Sequence, residues 1–398
     1  MTHRVAAGFM PLLDSALLVV ARERGFAAGE GVDLTLAREN SWASIRDRLA
    51  VGHFDVAHML APMPIACNLG LTPLGARTLA PMALGLGGNA VTVSLPLWAR
   101  MREEGAAPDF DPRSTGRALA AVARHAAPLR FAVVHPHSGH NYELRYWLAG
   151  CGLDPDRDIE IVIVPPPLMA DALGAARIDG YCVGEPWNTA AVMKGVGRIA
   201  TTKATIWRSS PEKVLGVAAD WAESHPEALA ALLRALYRAS LWCSDPAHRG
   251  ELAEVMAVQI GCPADWLEPA LSGRFPAGDG SLVTATDFFV PHARAATFPW
   301  KSHGLWFYSQ MVRWGQMEAS AASETVVRET YRPDLYRSAL RDLGVALPSA
   351  NAKVEGALVA ETPVGSAGAS LLLGPDGFFD GAIFDPDRIA DYIAAQKH

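Results

Sequence analysis

Short apolar runs alternate with amphipathic stretches from the start of the chain. Val5–Phe9 reads as a strand, Leu12–Arg24 as a helix closed by Gly25, and Val32–Leu36 as a second strand. Ser41-Trp42 opens a helix to Val51, and Asp55–Leu60 follows the turn Gly52-His53-Phe54 as a third strand. This βαβα start predicts a mostly parallel, doubly wound sheet. Gly85–Ala90 leads into Val91–Ser94, the expected crossover into a second lobe. That lobe would hold a helix around Thr115–His125, strand Phe131–His135, a helix with Leu144, Trp147, Leu148 and Cys151 on one face, strand Ile159–Val164, helix Leu168–Arg177 and a strand from Ile178 into Gly184. Ile199–Thr202 returns the chain to the first lobe, where Val214–Ala218 and a helix Pro226–Cys243 follow, the helix entered through a capping box at Ser224-x-x-Glu227. The expected architecture is an α/β clamshell: lobe I over residues 1–92, lobe II over 93–200, and a second part of lobe I with a C-terminal extension over 201–398.

The strand ending at Gly184 runs directly into Glu185, Pro186 and Trp187, and the loop Pro136-His-Ser-Gly-His140 follows another strand and opens a helix. In open α/β sheets the ligand crevice lies at the carboxyl ends of strands, where helix N-termini present free N–H groups to anions. The pattern predicts a cleft for a small, negative ligand.

Length and composition narrow the picture. The chain has 398 residues, half of them hydrophobic and 19% charged, enough for two lobes with their own cores. A net charge of −7 argues against a nucleic-acid or anionic-membrane face, so an anion must be held by local groups against the overall field. Five scattered cysteines, Cys67, Cys151, Cys182, Cys243 and Cys262, form no C-x-x-C pair and read as reduced core thiols. Asp14 interrupts the apolar run near the N-terminus, no cleavage site follows, and no stretch reaches the roughly eighteen apolar residues of a membrane span. These features lead to the expectation of a cytoplasmic protein.

Several candidate chemistries fail on context. Gly85-x-Gly87-x-x-Ala90 resembles a dinucleotide fingerprint, but a strand follows it where a helix is required. His135, His137 and His140, with Glu185 as a fourth ligand, could be read as a metal site, yet a strand-loop-helix turns the three histidines in different directions. Cys182 lies in an apolar strand and Ser138 lacks a nucleophile elbow, so neither reads as a catalytic nucleophile. No metal or organic cofactor is expected. Trp42 faces either the cleft or the core, Lys213 either the cleft or solvent; His140, at the helix entrance, is placed in the cleft.

At these residues the chain resembles the NrtA/CmpA-like family of nitrate- and bicarbonate-binding periplasmic binding proteins. The matching stretches include Ser41-Trp42-Ala43, His58–Pro64, Gly88–Ser94, Gly139–Ala149, Cys182–Asn188, Pro211–Gly216 and Phe378–Gly381. The resemblance implies a type II periplasmic-binding-protein-like clamshell and a nitrate or nitrite pocket formed by Trp42, Asn89, His140, Gly184 and Lys213. Asn89 stands where the nitrate transport proteins have a glutamine, keeping the amide but shortening its reach. In this scheme Lys213 is the sole compensating charge, His140, Asn89 and Gly184 supply donors, and Trp42 is a flat wall. The resemblance also implies a non-enzymatic role. The transport members carry an export signal, and its absence points to the NasS-type cytoplasmic sensors, which pair with a NasT-like ANTAR-type RNA-binding antiterminator. The alternatives are a solute-binding subunit of a nitrate or bicarbonate importer and, at greater distance, the pyrimidine-forming enzymes of thiamine synthesis, whose cysteine-rich motif is missing here.

Overall fold

The computed structural model describes residues 2–125, 128–277 and 280–396. Its strands β1 (His3–Phe9), β2 (Val32–Arg38), β3 (Val56–Leu60) and β4 (Thr78–Ala83) precede a two-residue strand β5 (Leu86–Gly87). They are followed by β6 (Asn89–Ser94), β7 (Leu129–Val133), β8 (Ile159–Ile163), β9 (Gly180–Gly184), β10 (Gly197–Thr202) and β11 (Lys213–Ala218). Two five-stranded sheets result, in the orders β2-β1-β3-β11-β4 and β10-β6-β9-β7-β8. Each is mixed: β1, β2 and β3 are parallel, and β11 runs against both β3 and β4. In the second sheet β7, β8 and β9 are parallel and β6 runs against β9 and β10. The antiparallel strand in each sheet is the first long one laid down after a crossover, so the chain enters each lobe from the opposite end.

Two sequence expectations need correction. Ile199–Thr202, expected to return the chain to the first lobe, is instead part of β10, which pairs with β6 at the edge of the second sheet. The capping box at Ser224 does not form: the helix Pro226–Ser244 starts after His225, and the Ser224 hydroxyl donates to the Asp220 carbonyl (2.7 Å), closing the preceding helix Ala219–Ser224. Pro226, which has no N–H to cap, sets that start. The dinucleotide-like glycines are spent on chain geometry: Gly87 has φ +75°, and a Cβ there would lie 2.1 Å from the Phe288 carbonyl oxygen.

The C-terminal region ties the lobes together. The helix Lys301–Arg313 packs on the lobe II helix Gly139–Gly150, and Tyr146 donates to the Asp380 carboxylate (2.8 and 2.9 Å). Trp207 stacks on Phe378 (4.8 Å, 21°) and packs against Trp306 (4.5 Å). Lys353 lies half-buried between Glu355 and Asp376, 2.5 Å from the latter, which fixes the extended segment leading to these aromatics. Among the described residues no helix is long and apolar enough to cross a membrane. Phe378→Ala should cost about 3–5 kcal/mol in urea denaturation and expose the C-terminal segment to limited proteolysis.

Candidate functional site

The carboxyl ends of both sheets and the N-termini of two helices converge on one buried cluster of polar side chains between the lobes. Trp42 is the first residue of the helix Trp42–Ala50, whose N-cap Ser41 accepts from Ser44 N–H. His140 is the second residue of the helix Gly139–Gly150, capped by Ser138, which accepts from Asn141 N–H. Both helices therefore turn their positive dipole ends to the site. Asn89 opens β6 and pairs in register with Gly184, the last residue of β9. Lys213 opens β11 opposite Leu60, so its side chain enters from lobe I.

The five residues carried over from the family are linked by contacts. Lys213 Nζ stands 5.4 Å from the centre of the Trp42 ring and 2.7 Å from Asp14 Oδ2. Asp14 Oδ2 and Asn89 Oδ1 both come within 3.4 Å of where a Gly184 Cβ would lie, so any side chain there would press on both polar groups. His140 Nε2 lies 3.3 Å from Glu212 Oε1, which also binds Lys213 Nζ at 2.6 Å. Trp42, Asn89, His140 and Lys213 are each at most 1% exposed. Entry of a ligand therefore requires the lobes to part. The lobes meet through Leu13 N–H to the Glu185 carbonyl (2.8 Å), Trp187 Nε1–H to the Pro11 carbonyl (3.1 Å) and Tyr142 OH to Gln316 (2.5 Å).

The orphaned polar atoms mark where a ligand would sit. Trp42 Nε1, both atoms of the Asn89 amide and both ring nitrogens of His140 are buried without a hydrogen-bond partner. Buried polar groups are nearly always paired, and an unpaired one costs about 1–3 kcal/mol. A small ligand with several acceptors would pair the donors among them: the Trp42 indole N–H, the Asn89 amide N–H and a protonated His140 nitrogen. Trp42 thus brings an unpaired donor to the site, where the sequence suggested only an apolar wall.

The expectation that Lys213 acts as a free compensating charge does not survive the geometry. Its ammonium is held between Asp14 and Glu212, and a second buried lysine, Lys203, binds Glu212 Oε2 (2.6 Å), Glu143 Oε1 (2.7 Å) and the Pro211 carbonyl (2.5 Å). His58 adds to the cluster, its Nε2 3.0 Å from Asp14 Oδ1. Burial raises the Glu212 carboxyl, but Lys203 and Lys213 outweigh it and hold it down to about 2. Asp14 is likewise held well below the carboxylate range by Lys213 and His58 against burial. Burial pushes Glu143 up to about 8, and burial drives His140 down to about 3.

Asp14, His58, Glu143, Lys203 and Glu212 were not identified as site residues from sequence. The available signal was charge inside apolar context: Asp14 interrupts Met10–Val20, and Glu212 abuts Lys213 at a strand start. The other candidates have structural duties. Ser138 caps its helix and donates to the His135 carbonyl (2.7 Å), His137 N–H donates to His135 Nδ1 (3.0 Å), and Glu185 accepts from Thr189 N–H (3.1 Å) at the start of the helix Trp187–Met193. Burial pushes the Cys182 thiol far above its ordinary range, which keeps it un-ionised. Among the described residues no group of three or more His, Cys, Asp or Glu side chains is arranged to hold a metal ion.

Comparison with known proteins places this geometry in a family. Residues 2–257 match the model of the NMT1-like family. The chain is 32% identical over 408 aligned residues to the nitrate/nitrite binding protein NrtA of Synechococcus elongatus, covering 99% of this chain and 86% of that protein. It is 35% identical to the bicarbonate transport ATP-binding protein CmpC of the same organism, covering 85% of this chain but only 49% of CmpC. The crystal structure of the periplasmic nitrate-binding protein NrtA from Synechocystis PCC 6803 superimposes with a TM-score of 0.87 at 27% identity, over 100% of this chain and 99% of that one. The chain belongs to the NMT1-like family, in its NrtA/CmpA-like nitrate- and bicarbonate-binding branch, and has the periplasmic-binding-protein-like α/β fold.

Two outcomes follow from this packing. A Cβ at Gly139 would lie 2.6 Å from Glu212 Oε2, so Gly139→Ala should displace that carboxylate from the two lysines and lower stability by about 1–3 kcal/mol in chemical denaturation. Burial also holds Glu185 protonated to about pH 8, whereas the unfolded carboxyl ionises near its ordinary value of 4.5. The native state then keeps a proton that the unfolded state loses, so stability falls as pH rises through 4.5–8. Glu185→Gln should flatten the melting temperature between pH 5 and pH 8 in scanning fluorimetry, and a decline as steep as the parent's would assign the effect to other groups.

Proposed function

We propose that this protein binds a planar monovalent oxyanion, nitrate or nitrite, in the closed chamber between its lobes. The observation that carries the reading is the set of buried, unpartnered polar atoms on Trp42, Asn89 and His140 beside the Lys213 ammonium. A planar anion has acceptors in its plane and none to donate, which suits the indole N–H, the amide N–H and a protonated imidazole nitrogen. The names of the relatives support the same ligand class. The carboxylates and lysines of the site are engaged with one another, which suits binding rather than catalysis.

Relatives named as transport and binding proteins favour, as the cellular role, the solute-binding subunit of an importer. A second reading, a cytoplasmic sensor that sequesters an ANTAR-type antiterminator and releases it on ligand binding, is favoured by one observation: all five cysteines are free, as a reducing compartment leaves them. In either role closure of the lobes is the output, since a partner that spans both lobe edges distinguishes open from closed, and by linkage anion and partner alter each other's affinity by the same factor.

Calorimetry with nitrate, nitrite, bicarbonate and sulfate tests the ligand. Trp42→Phe keeps the ring but removes the N–H, so it should cost about 1–3 kcal/mol of nitrate affinity. Lys213→Met leaves Asp14 and Glu212 facing the anion uncompensated and should cost more, about 3–5 kcal/mol. Affinity unchanged in both variants would move the ligand out of the chamber. The role is tested by sizing chromatography with the antiterminator, with and without millimolar nitrate: a complex that dissolves in nitrate supports the sensor, and absence of any complex together with export of the native protein supports the importer subunit.

A further inference from the structure

The charges around the chamber are already balanced before any anion arrives. Two ammonium groups, Lys203 and Lys213, face the carboxylates of Asp14 and Glu212, with Glu143 as a third carboxyl against Lys203. An anion entering this closed space would leave at least one buried negative charge without compensation, which is strongly unfavourable in a medium of low dielectric. Two imidazoles could supply the missing positive charge, His58 and His140. His58 is committed: its Nδ1 accepts the Met10 N–H (3.4 Å), so its proton sits on Nε2 toward Asp14. His140 is uncommitted, with Nε2 3.3 Å from Glu212 Oε1 and Nδ1 buried without a partner. As an imidazolium it would direct one N–H to Glu212 and the other to the ligand.

We propose that His140 takes up one proton as the anion binds, so that the ligand enters the chamber as an anion together with a proton and His140, not Lys213, supplies its compensating charge. This rests on the oxyanion reading given above. His140 is faced by Glu212 just before β11 and Lys213 at its start, by Asp14 on the turn after β1 and by Lys203 just after β10, with Glu143 on its own helix. Burial keeps the imidazole neutral at physiological pH, held down to about 3. The added anion is the one change that reverses this balance. Affinity must then fall as pH rises, because binding consumes a proton, by up to about tenfold per pH unit.

The experiment is calorimetry of the full chain with sodium nitrate at pH 7 in Tris and in Bis-Tris, whose ionisation enthalpies differ, repeated up to pH 8.5. Uptake of close to one proton per nitrate, with the dissociation constant rising steeply with pH, is expected. His140→Gln keeps a donor but cannot titrate, so its nitrate affinity should be weaker and independent of pH, with no proton uptake. Glu143→Gln should retain the uptake. Nitrate binding with an enthalpy independent of buffer would overturn the inference and leave the oxyanion reading standing, whereas no binding at any pH would overturn both. Uptake that persists in His140→Gln but vanishes in Glu143→Gln would place the proton on Glu143 and refute the assignment.

Discussion

The structure depends on a closed network of buried charges at the meeting of its lobes. Lys213 and Lys203 are each at most 1% exposed, and an isolated ammonium at that depth would be untenable. They persist because Asp14, Glu212 and Glu143 close around them at 2.6–2.7 Å. Glu212 is the pivot: its two oxygens hold one lysine each, and His140 from lobe II leans on the oxygen that binds Lys213. Gly139 exists at its position because any side chain there would press on that carboxylate. Deleting one member strands the others, so the cost of breaking the network, about 3–5 kcal/mol, exceeds that of any one neutral hydrogen bond around it.

The proposed anion would meet a protein of net charge −7, so its attraction must be local. Helix N-termini at Trp42 and Gly139, together with the unpaired donors of Trp42 and Asn89, give local attraction. The ion pairs supply no spare charge. Coulombic selection in the chamber would thus favour a ligand of low charge and high acceptor count, and would penalise divalent oxyanions, for which two further positive charges would be needed.

Closure is stabilised away from the site as well as within it. The C-terminal segment lays Phe378 on Trp207 and brings Asp380 to Tyr146 of lobe II, so opening must either move this segment with one lobe or break its contacts.

Much of this was legible in the sequence, for a physical reason. Strand and helix periodicity in Val5–Leu60 and around Leu144–Cys151 is imposed by burial of one face, a local property, and it correctly announced two α/β lobes. The stretches around Trp42, Asn89, His140, Gly184 and Lys213 carried the resemblance to the family, and the structure brings these residues together at one chamber. A local signal failed where a neighbour decided the outcome: Ser224 caps nothing in the helix it was expected to open, because its own helix takes its hydroxyl. The charge balance was beyond the sequence altogether. Whether Lys213 is free or spent depends on Asp14, 199 positions away, and on Lys203, which only the return crossover brings to Glu212. Sequence determined which residues are available to meet an anion; tertiary structure decided which of them still have a charge or a hydrogen bond to give.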